Sequence, residues 1–149
     1  MVDGLEQRGF EHRDVLFVDD DDTDVELALA AFRANGLGDR VAVARDGVQA
    51  LAWLDGLRTT PRLVIADLRM PRMGGLDLLR QIRENRRLAH VPVVVLSSSR
   101  YADDLRESYR LGANSFVRKR LGAEHLSRSL VSLTRYWLDL NESPPGELE

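Results

Sequence analysis

Cysteine is absent from the 149-residue chain, which excludes a disulfide framework, thiol catalysis and cysteine-based zinc or iron–sulfur sites, and fits a reducing compartment. Histidine is sparse. His12, His90 and His125 lie far apart with no ligand spacing, so neither a histidine metal site nor histidine catalysis is expected. Long apolar runs are missing too. None approaches the roughly 18 residues that would cross a bilayer, and the first residues, MVDGLEQRGF, carry no apolar signal core. The expectation is a soluble, cytoplasmic protein with no membrane contact. Lysine is nearly absent: of 21 basic side chains, twenty are arginine and one is Lys119. The arginines are scattered rather than gathered into a stripe, so a nucleic-acid partner is not expected either.

What is present points to a folded globule. Hydrophobic residues make up 44% and charged residues 30%, which excludes a disordered or collagen-like chain. The length suits one domain with a real core. The expected division is a short extension over residues 1–12, one domain over 13–140 and a polar, proline-containing tail over 141–149, expected to be disordered. The net charge of −3 hides an asymmetry, because nine of the 24 acidic residues fall in the first 24 positions. Five of them stand close together, as Asp19, Asp20, Asp21, Asp22 and Asp24.

Short apolar runs alternate with helical patterns along the chain. Val15-Leu16-Phe17-Val18 reads as a buried strand, followed by Val25, Ala28, Leu29 and Phe32 at helical spacing up to Gly36. Val41-Ala42-Val43 predicts a second strand, and a helix follows over about 47–57 with Asp46 as its N-cap. Leu63-Val64-Ile65-Ala66 is a third strand, leading to a helix over about 76–84. A fourth strand covers 91–96 with Pro92 at its entrance, then a more polar helix covers 101–111. Ser115-Phe116-Val117 is a short fifth strand before a closing helix over 124–138. Five strand-then-helix units with continuously apolar strands predict an α/β fold, a parallel sheet covered by helices on both faces.

Ligands of such sheets sit at the carboxyl ends of the strands, where the strand order reverses. Asp19 and Asp20 follow strand 1, Asp67 follows strand 3, Ser97 follows strand 4 and Lys119 follows strand 5. Crowded carboxylates resist joint ionisation without a cation. A hard divalent ion such as Mg²⁺ suits a few carboxylates, water and an incoming phosphate. A carboxylate can also act as nucleophile and form an aspartyl phosphate, with a lysine as a compact positive charge beside it.

These residues resemble the receiver domain of two-component response regulators. The resemblance rests on Asp19-Asp20 after VLFV, on Asp67 and the following LRMPRMGG, on Ser97 after VVVL, and on GANSFVRK ending at Lys119, and it runs from about 14 to 138. It implies a flavodoxin-like sheet with strand order 2-1-3-4-5. It also implies that Asp67 accepts a phosphoryl group from a phosphohistidine of a sensor histidine kinase. Mg²⁺ would then be held by Asp20, by Asp19 directly or through water, by Asp67 and by the backbone carbonyl of Arg69. Lys119 would pair with Asp67 and then with the phosphoryl oxygens. Ser97 would swing in to the phosphate, Phe116 would move inward as an aromatic switch, and Met70-Pro71 with Gly74-Gly75 would shape the loop after Asp67. The closing helix, ending in Tyr136-Trp137-Leu138, and the segment VPVVVLSSS are similar to the single-domain regulators paired with phytochromes, so a bacteriophytochrome is the expected kind of kinase. Two departures stand out: Arg120 occupies the place where such domains usually carry proline, and Arg69 with Ser99 flanks the site and is expected to tune the phosphoryl lifetime.

Other readings compete. Asp21, Asp22 and Asp24 are most simply the acidic start of a helix. The run Asp19-Asp20-Asp21-Asp22-Thr23 also fits a haloacid-dehalogenase-type Mg²⁺ phosphatase with Asp19 as nucleophile and Asp21 as acid/base. That reading lacks its acidic pair after the lysine strand and leaves the Asp67 segment unexplained. An EF-hand on Asp20, Asp22 and Asp24 fails because its sixth and twelfth positions would be Val25 and Ala31. A receiver that acts as scaffold and never gains phosphate is a further alternative. With no effector domain in these residues, output is expected through protein contact at the helix after Ser97, strand 5 and the last helix. Leu126, Leu130, Leu133 and Trp137 form a core stripe on that helix. Tyr136, Leu138 and Leu140 exceed what one stripe needs, which suggests a homodimer through it.

Overall fold

Four consecutive strand formers, Val15–Val18, make β1, and every one of them is buried. Such a strand has no solvent face, so helices must cover it on both sides. The structure, a computed structural model, describes residues 14–144. The expected extension over 1–12 and the end of the expected tail, 145–149, lie outside the described residues. After β1 the chain forms α1 (Asp22–Ala34), β2 (Val41–Ala44), α2 (Gly47–Asp55), β3 (Leu63–Ala66), α3 (Gly75–Glu84), β4 (Val93–Ser97), α4 (Ala102–Arg110), β5 (Ser115–Arg118) and α5 (Ala123–Thr134). A wider π-helical turn, Arg135–Leu140, continues α5.

The strands pair in parallel in the order β2-β1-β3-β4-β5, as the resemblance implies. Alternate side chains of each strand point to opposite faces. Leu16, Val18, Val64, Ala66, Val93 and Val95 pack under α2 and α3. Val15, Phe17, Leu63, Ile65, Val94 and Leu96 pack under α1 and α5. There Phe17 meets Phe32 of α1 edge to face, with ring centroids 6.1 Å apart. Burying one such side chain is worth about 1.5–3 kcal/mol, so the two sandwiched faces dominate the stability.

Two elements differ from the sequence reading. β4 begins at Val93 rather than 91, because Pro92 has no N–H to offer the ladder, although its carbonyl accepts from Val64 N at 2.9 Å. In the last helix the residues buried at intervals of four are Leu126, Leu130, Thr134 and Leu138. Leu138, expected on a contact surface, lies in the core at 6% exposure, and Trp137 only flanks that core. Thr134 donates its hydroxyl to Leu130 O at 2.8 Å, a back-bond that bends helices. The π-helical turn that follows carries more residues per turn than an α-helix, so Leu138 rotates inward.

Candidate functional site

Parallel register brings the site together. Val18 pairs with Ala66 across β1 and β3, so Asp19 and Asp67 leave the sheet from neighbouring positions. Asp67 N donates to Val18 O and Asp19 N to Ala44 O, each at 3.0 Å. Across β4 and β5, Ser97 pairs with Arg118, and Lys119 N donates to Ser97 O at 2.9 Å. The strand order reverses between β1 and β3, which leaves the opening where these side chains gather. Gly75 lets α3 start against the backbone of Asp67: a Cβ there would stand 2.2 Å from the Asp67 carbonyl oxygen.

Carboxylate oxygens of Asp19, Asp20 and Asp67 lie within 4.8 Å of one another. Asp19 is buried, Asp67 is half-buried and Asp20 is exposed. Lys119 Nζ donates to Asp19 Oδ2 at 2.7 Å, to Asp24 Oδ2 at 2.8 Å and to Asp67 Oδ2 at 3.4 Å. An ammonium has three protons, and here three carboxylates surround it. Lys119 therefore faces Asp67 as expected, but its shorter bonds are to Asp19 and Asp24.

The charges remain frustrated. Burial raises Asp67 above the ordinary aspartate range, with Lys119 and the Leu68 amide pulling the other way and Asp20 adding to the rise. Burial likewise raises Asp19 against hydrogen bonds from Lys119 and from Asp21 N. For Lys119 burial is the largest single influence and would lower it, yet the surrounding carboxylates outweigh burial and hold it above the usual lysine value. One ammonium does not neutralise four carboxylates. An oxygen-only cluster with surplus negative charge is the donor set a hard divalent cation takes.

The remaining expected residues fall around this centre. Ser97 is buried at 2% exposure, and its Oγ accepts from Ser99 N at 3.2 Å. Phe116 is half-buried against the core under α2 and α3, and its amide donates to the hydroxyl of Tyr109 at 3.2 Å. Arg69 and Arg120 line the cavity that holds Asp20, Asp67 and Lys119. All described peptide bonds are trans, the one before Arg120 included. The guanidinium of Arg69 reaches Asp104 at 2.7 Å, and the Ser99 hydroxyl donates to the same oxygen at 2.5 Å. Asp21 caps α1 by accepting from Asp24 N at 2.9 Å, and Asp22 pairs with Arg45, as acids at a helix start should. Asp24 departs from that reading, because its carboxylate belongs to the Lys119 cluster. No local signal marks it: Asp24 lies in the first turn of α1, which starts at Asp22, and its partner Lys119 is 95 residues away.

Comparison with known proteins agrees with this geometry. Residues 15–131 match the response regulator receiver domain. The chain is 40% identical over 134 residues to the probable methanogenesis regulatory protein FilR2 of Methanothrix harundinacea, covering 87% of this chain and 86% of that one. Among solved structures it is similar to the phosphorylated cyanobacterial phytochrome response regulator RcpA, with a TM-score of 0.82 and 29% identity over 89% of this chain and 99% of that one. It is also similar to the Mn²⁺-bound form of response regulator Rcp1, with a TM-score of 0.78 and 28% identity over 87% of this chain and 97% of that one. Sheet order, carboxylate cluster, opposed lysine and matched sequence converge, and the chain belongs to the response regulator receiver family, with phytochrome-associated regulators among its relatives.

Proposed function

We propose that the protein is a phosphoryl-accepting switch: Asp67 takes a phosphoryl group from a sensor histidine kinase, and the change is read through protein contacts. The observation that carries this is Lys119 beside three clustered carboxylates, of which Asp67 is better exposed than Asp19 (side chains 15% and 1%). In the transfer, the P–N bond to the kinase imidazole breaks as a bond forms from an Asp67 carboxylate oxygen to phosphorus. The imidazole leaves with the electron pair and takes up a proton. Asp20, Asp19, Asp67 and the Arg69 carbonyl would hold Mg²⁺, which supplies charge neutralisation for the transferring oxygens. Lys119 meets the developing negative charge from the other side. Ser97 and Phe116 carry the change outward, Ser97 by turning to the phosphoryl oxygens and Phe116 by moving inward. The protein thus assists its own phosphorylation and dephosphorylation rather than turning over a separate substrate.

The receiver unit spans 13–140, flanked by 1–12 and by a tail over 141–149, and acts in the cytoplasm. A phytochrome-type kinase is the favoured donor, because the phosphorylated relative is a phytochrome response regulator. Exposed Tyr136 and Leu140 on the last helix support a homodimer. Burial weighs against a phosphatase with Asp19 as nucleophile.

Incubation with Mg²⁺ and acetyl phosphate should add one phosphoryl group to the intact mass, abolished by chelating the metal or by Asp67→Ala. No gain would favour a scaffold. Turnover of a generic phosphatase substrate that is lost in Asp19→Asn and kept in Asp67→Asn would sink the reading.

A further inference from the structure

Among the described α-helices α4 is the least anchored by apolar packing: of its nine residues only Ser108 is buried. Polar contacts hold its first turn instead. Asp104 Oδ2 accepts from Arg69 Nη2 at 2.7 Å and from Ser99 Oγ at 2.5 Å. Ser99 Oγ in turn accepts from Tyr101 N at 3.2 Å, and Ser108 Oγ donates to Asp104 O at 2.7 Å. Arg69 is the long-range member of this set. It stands two residues after Asp67 and lines the same cavity as Asp20, Asp67 and Lys119.

We propose that Asp104 is the resting counter-ion of Arg69, and that a phosphoryl group on Asp67 draws Arg69 away from it and loosens the start of α4. The inference rests on Asp67 being the phosphoacceptor. The Arg69 side chain is 70% exposed and that of Asp104 16% exposed, so the pair is screened and easily exchanged. A phosphoryl group brings nearly two negative charges and three strong acceptors. Guanidinium binds such a group through two parallel hydrogen bonds. Asp104 keeps the Ser99 hydroxyl when Arg69 leaves, so no carboxylate is stranded. Arg100, Arg118 and Arg120 line the same cavity, but among the described contacts only Arg69 is paired to α4. Arg69 is thus a positioning residue that reports charge at Asp67 to the first turn of a helix with a single buried residue.

The test is hydrogen exchange of α4 amides in the full chain, with and without Mg²⁺ and beryllofluoride as the phosphoryl analogue. In the wild type, beryllofluoride should speed exchange in the first turn of α4 roughly fivefold, the scale of one exposed ion pair. Arg69→Gln and Asp104→Asn should each give that rate without beryllofluoride, and its addition should then change little. Unchanged resting exchange in both variants, or an undiminished beryllofluoride response, would overturn the proposal. Fluorine NMR separates the two levels of the argument. Bound beryllofluoride with an indifferent α4 removes this inference alone, whereas no bound beryllofluoride removes the phosphoacceptor reading with it.

Discussion

Lys119 serves three carboxylates from a single nitrogen, at 2.7, 2.8 and 3.4 Å. A tetrahedral ammonium can direct its protons to three converging oxygens, whereas a guanidinium is a planar fork that spreads its donors over a wide front. The arginines do other work. Arg80, Arg106 and Arg128 pair with acids one helical turn away on exposed surfaces. Arg83 holds the carbonyls of Gly112, Ala89 and Val91, and Arg87 those of Leu54 and Leu57. Lys119→Arg should therefore slow phosphorylation by acetyl phosphate by at least about tenfold although the charge is kept. A normal rate would mean that the single lysine is an accident of composition. The place of Lys119 after the fifth strand was legible in the sequence. The role of Asp24 was not, because it depends on the first turn of α1 meeting a loop 95 residues away.

At the scale of elements, Asp46 was legible as the cap of α2, and its Oδ1 does accept from Gln49 N at 2.8 Å. Its second partner was not. Oδ2 accepts from Arg72 Nε at 2.8 Å, and Arg72 holds a left-handed backbone at φ 63 in the loop after Asp67. One carboxylate thus fixes a helix start and steadies the loop after Asp67. The Gln49 amide is the main influence that lowers the Asp46 pKa, and Arg72 adds to it. A carboxylate lowered by folding contributes stability above its unfolded value, near 4, and that contribution fades as pH falls through its folded value. Asp46→Ala should cost about 1–2 kcal/mol at pH 7, and the difference from wild type should shrink below about pH 4. Urea unfolding at both pH values checks this; a difference independent of pH would refute the charged cap. The last helix shows the opposite case. A regular α-period runs Leu126, Leu130, Leu133 and Trp137 into the core. The π-helical turn, Arg135–Leu140, instead delivers Leu138 there, and no local pattern announces that turn.

At the scale of the molecule, that rotation decides which residues are left for a partner. Tyr136 is 49% and Leu140 73% exposed, while Leu138 sits at 6%. If the last helix makes the homodimer, Tyr136→Ala with Leu140→Ala should raise the dimer dissociation constant at least about tenfold in sedimentation, since apolar anchors dominate such contacts. Leu138→Ala should lower stability by about 2–5 kcal/mol through the core instead. A dimer indifferent to the first pair would place the interface elsewhere. The sequence by itself determined the α/β class, the strand-end acids and the lone lysine, because burial on both sheet faces and position after a strand are properties of local pattern. Only the tertiary structure decided that Asp24 joins Lys119, that Arg69 binds Asp104 across 35 residues, and that Leu138 turns inward. Each of those depends on distances between segments far apart in the chain or on a change of helical pitch, and neither leaves a local pattern in the sequence.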